Sequence, residues 1–223
     1  MWQSKELCYN TAMLNNVETE AKFIIPDLAT FDALQKITGL DDFEAASIGI
    51  KNIVDRYLDT PDKHLLQADF VCRIRKAKNQ QILTLKSSLK AVTGEIHRRQ
   101  EIEMEVNSDQ PLAWAESEVK DLVLGIVGQT PLQTLFTLYQ TRHKFHVSSQ
   151  EKLVIELSLD KVCLHQPTTI DYLGLEAELI EAGTEADLTR FAEALQRVWP
   201  LEADPQSKFE RALASLGPNA YPK

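Results

Sequence analysis

The sequence predicts an α+β protein built on a closed eight-stranded antiparallel β-barrel, a tunnel with a polar, charged interior and helices packed on the outside. Three observations lead there. About eight segments alternate with a period of two and follow one another mostly through hairpin-like links, the signature of an antiparallel sheet. Nearly every segment carries charged residues at i and i+2, on one face of its strand. The helical segments carry strong apolar stripes. A sheet with one solvated face has no need of charge repeated so regularly. A barrel with charge inside and apolar faces under helices accounts for it.

Taken in order, residues 1–14 read as an extension, 15–217 as one domain and 218–223 as a tail. In Val17–Ile25, Glu18, Glu20 and Lys22 share one strand face, and Val17, Thr19, Ala21 and Phe23 the other. Pro26 and Asp27 start a helix with Leu28, Phe31, Leu34 and Ile37 at helical spacing, ended by Gly39. A long strand follows over Ala45–Leu58, and Thr60-Pro61-Asp62 breaks it and opens a turn or short helix to Ala68. Phe70–Lys76 and Gln81–Lys86 form a hairpin with Ala77–Gln80 as its loop. The strand Ile96–Val106 carries Arg99, Glu101 and Glu103.

The period then changes. Pro111–Ile126 reads as a helix with Leu112, Ala115, Val119, Leu122 and Ile126 on one face, and Pro131–Leu138 as a connection. The next strand places Arg142, Lys144 and His146 on one side. Lys152–Asp160 does the same with Glu156, Ser158 and Asp160, and Ile170–Ile180 with Glu176 and Glu178. A helix over Glu185–Val198 and a short one over Ser207–Leu216 complete the chain, without internal repeats or low-complexity segments.

The totals bound the function. With 223 residues, 43% of them hydrophobic, the chain can bury a core. A net charge of −9 argues against a general nucleic-acid surface. It leaves room for a small phosphate ligand, because a divalent metal can sit between acidic side chains and an anion. No apolar run reaches the ~18 residues of a membrane span, and residues 1–14 lack a signal-peptide pattern, so a cytoplasmic protein is expected. Cys8, Cys72 and Cys163 are scattered and form no CxxC pair, which speaks against a disulfide framework or zinc site. Cys72 is expected to be a buried free thiol.

Charge inside a barrel is costly unless ligand, metal and water compensate it. Lys22, Arg73, Arg75, Lys86, Arg99, Arg142 and Lys144 suit a chain of phosphates, arginine through forked contacts and lysine as a point charge. Glu18, Glu20, Glu101, Glu103, Asp160, Glu176 and Glu178 suit Mg²⁺ or Mn²⁺, which take oxygen ligands and bridge to phosphate. Together they describe a channel for a polyphosphate tail and one or two metal ions.

The motifs in this order resemble the CYTH superfamily, also called triphosphate tunnel metalloenzymes. Glu18-Thr19-Glu20-Ala21-Lys22 is its opening ExExK. Tyr57-Leu58-Asp59-Thr60-Pro61-Asp62 is similar to its YFDTPD segment, Arg73 and Arg75 to its RxR pair, Thr84-Leu85-Lys86 to its TLK strand, and Arg99, Glu101 and Glu103 to RxExE. Leu159-Asp160, Glu176-Ala177-Glu178 and Ser207–Leu213 complete a likeness covering about residues 15–217. The resemblance implies a closed eight-stranded tunnel that hydrolyses or rearranges triphosphates with Mg²⁺ or Mn²⁺. It implies Glu18, Glu20, Asp160, Glu176 and Glu178 around metal and water, and Lys22, Arg73, Arg75, Lys86, Arg142, Lys144 and Lys208 as a phosphate cradle, joined by Arg99. Catalytic work is expected from Glu18, Glu20, Lys22, Arg73, Arg75, Glu101 and Glu103. Ile24 stands where some members carry a further base. Asn15 and Asn16 replace the His-Phe that often precedes the motif in class IV adenylate cyclases.

The leading expectation is a metal-dependent triphosphatase acting on inorganic triphosphate, because no obvious pocket for a base or vitamin ring is seen. Cyclisation of ATP, hydrolysis of thiamine triphosphate and a non-catalytic binder of polyphosphate or nucleotides are the alternatives. The partner is a small-molecule substrate, with no nucleic acid and no membrane, on a monomer or homodimer. Among neighbouring residues, Glu105 reads as solvated, Tyr57 and Asp59 as structural, and His97 and Arg98 as surface. His143 points away from the tunnel; His146, on the tunnel side, is open to a general-base role, and Glu156 to either tunnel or ion pair.

Overall fold

The computed structural model describes residues 16–87, 91–93, 96–164, 170–180 and 182–217. Its strands are β1 (Asn16–Ile25), β2 (Gly39–Leu40), β3 (Phe43–Asp59), β4 (Phe70–Ala77), β5 (Gln80–Ser87), β6 (Ala91–Thr93), β7 (Ile96–Glu105), β8 (Gln133–Ser149), β9 (Lys152–Leu164), β10 (Ile170–Leu179) and β11 (Glu202–Ala203). The helices are α1 (Leu28–Leu34), α2 (His64–Gln67), α3 (Glu118–Val127), α4 (Glu185–Val198) and α5 (Lys208–Ser215).

The sheet is antiparallel and rings through eight strands in the order β1-β10-β9-β8-β3-β4-β5-β7. The ring closes because β1 pairs on both edges. Its Glu20–Ile25 half lies against β10 and its Asn16–Ala21 half against β7. β2, β6 and β11 are short additions to this ring. Directly opposed residues share a face, so the registers carry one set of side chains around the inside. Glu20 opposes Glu178, Glu178 opposes Glu156, Glu156 opposes His146, and Arg142 opposes Asp160. Across the ring Asp55 opposes Arg75, Arg73 opposes Thr84, Lys86 opposes Glu101, and Arg99 opposes Glu18.

The other face of the strands carries apolar patches that two helical layers cover. α1 and α4 place Phe31, Leu34, Leu188, Phe191 and Leu195 on Phe23, Phe145, Leu157, Leu159 and Leu175. α2 and α3 place Leu65, Val119, Val123 and Val127 on Cys72, Ile74, Leu83 and Leu85. A buried leucine or phenylalanine contributes roughly 1.5–3 kcal/mol, so these layers hold the charged face inward. Capping side chains fix where the helices start: Asp27 accepts from the Thr30 N–H at 2.7 Å, Ser117 from Lys120 at 3.2 Å, and Thr184 with Asp187 forms a reciprocal box on α4.

α5 corrects the expectation that all helices lie outside. Phe209, Ala212 and Leu213 pack against Tyr57, Val71, Phe136, Leu138 and Val162. The pairing register gives those strand residues the parity of Arg73, Asp55, Arg142 and Asp160, so α5 fills one end of the ring from within. An apolar stripe reveals that a helix is buried but not on which side of a sheet. Here the inner face turns apolar at one end and needs a cover.

Other boundaries also differ from expectation. α1 stops at Leu34, and Gly39 opens β2 rather than ending the helix. The expected helix over Pro111–Ile126 divides into a 3₁₀ turn, Pro111–Ala113, and α3, because Trp114 donates its indole N–H to the Ser108 carbonyl at 2.9 Å and Ser117 restarts the helix as its cap. β8 begins at Gln133, inside the segment read as a connection. The β4–β5 hairpin turns through Lys78 and Asn79 alone, with Lys78 at φ 55°. His97, expected at the surface, is buried, whereas Arg98 is held by Glu185 at 2.6 Å. Cys72 is buried as expected, its thiol pushed up to about 12 by burial; Cys8 lies outside the described residues. No described helix is long and apolar enough to cross a membrane.

Candidate active site

Alternation on rigid strands brings the charged residues onto one cavity of about 210 Å³ inside the ring. β1 supplies Glu18, Glu20 and Lys22; β4, Arg73 and Arg75; β5, Lys86; β7, Arg99, Glu101 and Glu103. β8 supplies Arg142 and Lys144, β9 Glu156, β10 Glu176 and Glu178, and the start of α5 Ser207, Lys208 and Phe209. Every basic residue and every glutamate named from the sequence as a site residue thus lines this one cavity. Asp160 does not line it. It is fully buried behind Arg142, whose Nε and Nη2 donate to it at 2.8 and 2.6 Å, and lies 3.1 Å from Lys208 Nζ.

Most cations already hold carboxylates. Lys86 Nζ stands 2.6 Å from Glu18 and 2.7 Å from Glu101. Arg142 bridges Asp160 and Glu176, and Lys208 and Lys144 pair with Glu176 and Glu156. Lys22 is 3.3 Å from Glu20. Burial alone would raise Glu18, Asp160 and Glu176; Lys86, Arg142 and Lys208 outweigh it and hold all three below their ordinary values. The same carboxylates push the Lys208 ammonium up against its own burial.

Two features are compensated less fully. Glu20 and Glu178 oppose each other in the β1–β10 register, with Glu18 close by. Burial and then its acidic neighbours Glu18, Glu20 and Glu101 push Glu178 up to about 8, and burial with Glu18 raises Glu20. On the other side, the buried Nε of Arg73 and of Arg99 has no hydrogen-bond partner among the described residues. The ring therefore holds mutually repelling carboxylates on the cavity wall, with unpartnered guanidinium N–H groups buried beside it. Among the described residues no three acidic, His or Cys side chains are gathered tightly enough to hold an ion as they stand. The donor chemistry still fits a hard divalent cation, because the donors are all carboxylate oxygens and their repulsion is relieved by positive charge.

Glu105 is exposed. Asp59 is structural, accepting the N–H groups of Thr60, Leu65 and Leu66 at 2.7–3.0 Å to start α2. Tyr57 is both wall and core, its ring 5.4 Å from Phe209. His143 faces out, 2.7 Å from Ser47 Oγ, and His146 shares the inner parity without lining the cavity. Asp55, Thr84, Gln140 and Ser207 were missed by sequence reasoning. The alternation Asp55-Tyr57-Asp59 is the signal that places Asp55 inside, but an acid without an i+2 charged partner does not stand out.

The family model of the CYTH domain matches residues 16–213. This chain belongs to the CYTH family. Among solved structures, it is similar to a Hippeastrum protein described as a candidate adenylyl cyclase with a dominant triphosphatase activity. That match has TM-score 0.68 and 18% identity, covering 86% of this chain and 93% of the other. A candidate adenylate cyclase from Bacillus halodurans matches with TM-score 0.59 and 22% identity over 87% and 96% of the two chains. A Pyrococcus horikoshii protein matches with TM-score 0.53 and 17% identity over 88% and 96%. At these identities the likeness establishes a shared fold. No curated protein matches the chain.

Proposed function

We propose that this CYTH protein is a divalent-metal-dependent triphosphatase, and that inorganic triphosphate, cleaved to diphosphate and phosphate, is its substrate. The observation that carries this reading is the cavity wall itself: eight cationic side chains gathered with carboxylates that repel one another. Lys22, Arg73, Arg75, Lys86, Arg99, Arg142, Lys144 and Lys208 bind and orient phosphoryl oxygens and neutralise the charge that develops on them. Glu18, Glu20 and Glu178 are the residues that would hold Mg²⁺ or Mn²⁺, with Glu176 next to them on β10. When bound, such an ion polarises a phosphoryl oxygen and lowers the pKa of its water. Glu103, half-exposed and 3.7 Å from Arg73, is the lining carboxylate most open to a water molecule. The oxygen of that water adds to the terminal phosphorus as the bridging P–O bond breaks; a proton of the water passes to Glu103 and diphosphate leaves. No protein nucleophile is required.

Inorganic triphosphate is favoured because, among the described residues, the aromatic side chains on the cavity are Tyr57 and Phe209, and these pack on each other and offer no free stacking face for a base. α5 also closes one end of the ring, so the interior is a closed-ended tunnel. The test is incubation with inorganic triphosphate, ATP and thiamine triphosphate, each with Mg²⁺ or Mn²⁺, following phosphate and cyclic AMP. Phosphate release from inorganic triphosphate that a chelator abolishes is expected. Cyclic AMP from ATP, or no product with any metal, overturns the proposal.

A further inference from the structure

Behind the cavity wall, on β3, lies a carboxylate that no motif singled out. Asp55 is fully buried and does not line the cavity. Arg75 donates to it side-on, Nε to Oδ1 and Nη2 to Oδ2, both at 2.8 Å. Gln140 Nε2 on β8 donates to Oδ2 at 2.6 Å, and Arg73 Nη1 stands 3.9 Å away. Arg73 is held on its other side by Thr84, at 2.8 Å from Nη2. We propose that Asp55 is a positioning residue, which fixes the guanidinium plane of Arg75 so that its remaining N–H edge faces the phosphates. This deepens the triphosphatase reading and rests on it.

The physical need is clear. Arg73 and Arg75 are like charges two residues apart on one strand face, with Arg142 from a third strand turned toward the same space. Without an anion in the cavity they repel, and long side chains free to rotate lose affinity to ordering entropy. The register settles why Asp55 is the clamp. It opposes Arg75 directly across the β3–β4 pair, while Tyr57 opposes Arg73. A carboxylate that takes Arg75 through Nε and Nη2 occupies one of its edges and leaves Nη1 for a ligand. Gln140 holds the carboxylate from the far side, so the clamp spans three adjacent strands.

The proposal makes a prediction of sign. Asp55→Asn keeps the shape but removes a negative charge close to an anion site. If Asp55 acted only as a charge, this change would raise the local positive potential and lower KM. If it served only the fold, Tm would fall and KM would stay. A positioning role raises KM for inorganic triphosphate, here by about tenfold or more. In an Arg75→Ala background Asp55→Asn should add little further to KM, because the group it orients is gone. Should Asp55→Asn fail to fold, Gln140→Met removes the outer tether and should raise KM in the same direction by a smaller factor. A lowered or unchanged KM in the folded variants overturns the proposal. The Nε–H signal of Arg75 in nuclear magnetic resonance spectra of the metal-free protein gives a readout independent of turnover. It should be sharp and slow to exchange in the wild type and lose this protection in Asp55→Asn. If the wild type hydrolyses no triphosphate, the functional reading falls, and an unchanged Arg75 signal would separately remove Asp55 as its clamp.

Discussion

At the scale of single residues, Glu178 shows how the ring sets the state of its own groups. Its ordinary value of 4.5 is raised to about 8 by burial and by Glu18, Glu20 and Glu101. An unfolded chain ionises this carboxyl near 4.5 while the folded one keeps its proton. Its contribution to stability is therefore complete below pH 4.5 and lost as pH rises through about 8. Tm of the chelator-treated protein should carry that loss over this window. Mg²⁺, needing the ionised form, should raise Tm increasingly across the same window. His143, lowered by burial, works in the opposite direction, and comparison of wild type with Glu178→Gln isolates the carboxylate. A Glu178→Gln melting profile with the same pH dependence as the wild type would remove Glu178 from the repelling cluster. Legibility at this scale followed pairing. Charges at i and i+2, such as Glu18 with Glu20 or Arg73 with Arg75, announce an inward face, whereas Asp55 does not, because its partners lie on other strands.

At the scale of elements, strands were read more reliably than helices, and for a physical reason. Period two fixes a strand's faces whatever its neighbours do, so the strands carrying charged pairs emerge within a few residues of their observed positions, except that β8 starts earlier, at Gln133. A helical stripe leaves open where the helix starts, whether a turn such as Trp114–Ser117 interrupts it, and which surface it covers. α5 is the case with consequences. Ser207 and Glu210 cap it reciprocally, and the next residue, Lys208, reaches Asp160 and Glu176. Ser207→Ala should cost about 1 kcal/mol in urea unfolding. Because the cap also sets where Lys208 emerges, KM for triphosphate should rise with it. Ser117→Ala, which uncaps α3 on the outside, should cost a similar amount and leave KM unchanged. Equal KM values for the two variants would separate α5 from the site.

At the scale of the whole molecule, an acidic protein gathers cations and acids in nearly equal number on one internal cavity. The chain carries a net charge of −9, yet eight of the fifteen charged side chains on the cavity wall are cationic. The ring makes this possible by dividing each strand between an apolar outer face, which supplies the folding energy, and an inner face released from that task. Much of this division is legible in the sequence. Closure is expected from the sequence, but the pairing that completes it is not, because β1 meets β7 and β10 at once and these segments lie about 80 and 150 residues away. A closed ring with repelling charge inside should be stabilised by any ligand that compensates it. Inorganic triphosphate at about a hundred times its Kd should add about 2.7 kcal/mol. For a chain of this size that is a Tm rise of roughly 5–10 °C. Diphosphate should give less and monophosphate least, because fewer of the cavity cations are engaged. Run with a chelator, the same titration separates the cationic wall from any bound metal. A Tm that ignores triphosphate, or responds to all three anions alike, would mean that the charges inside the ring serve their own ion pairs and not a phosphate chain.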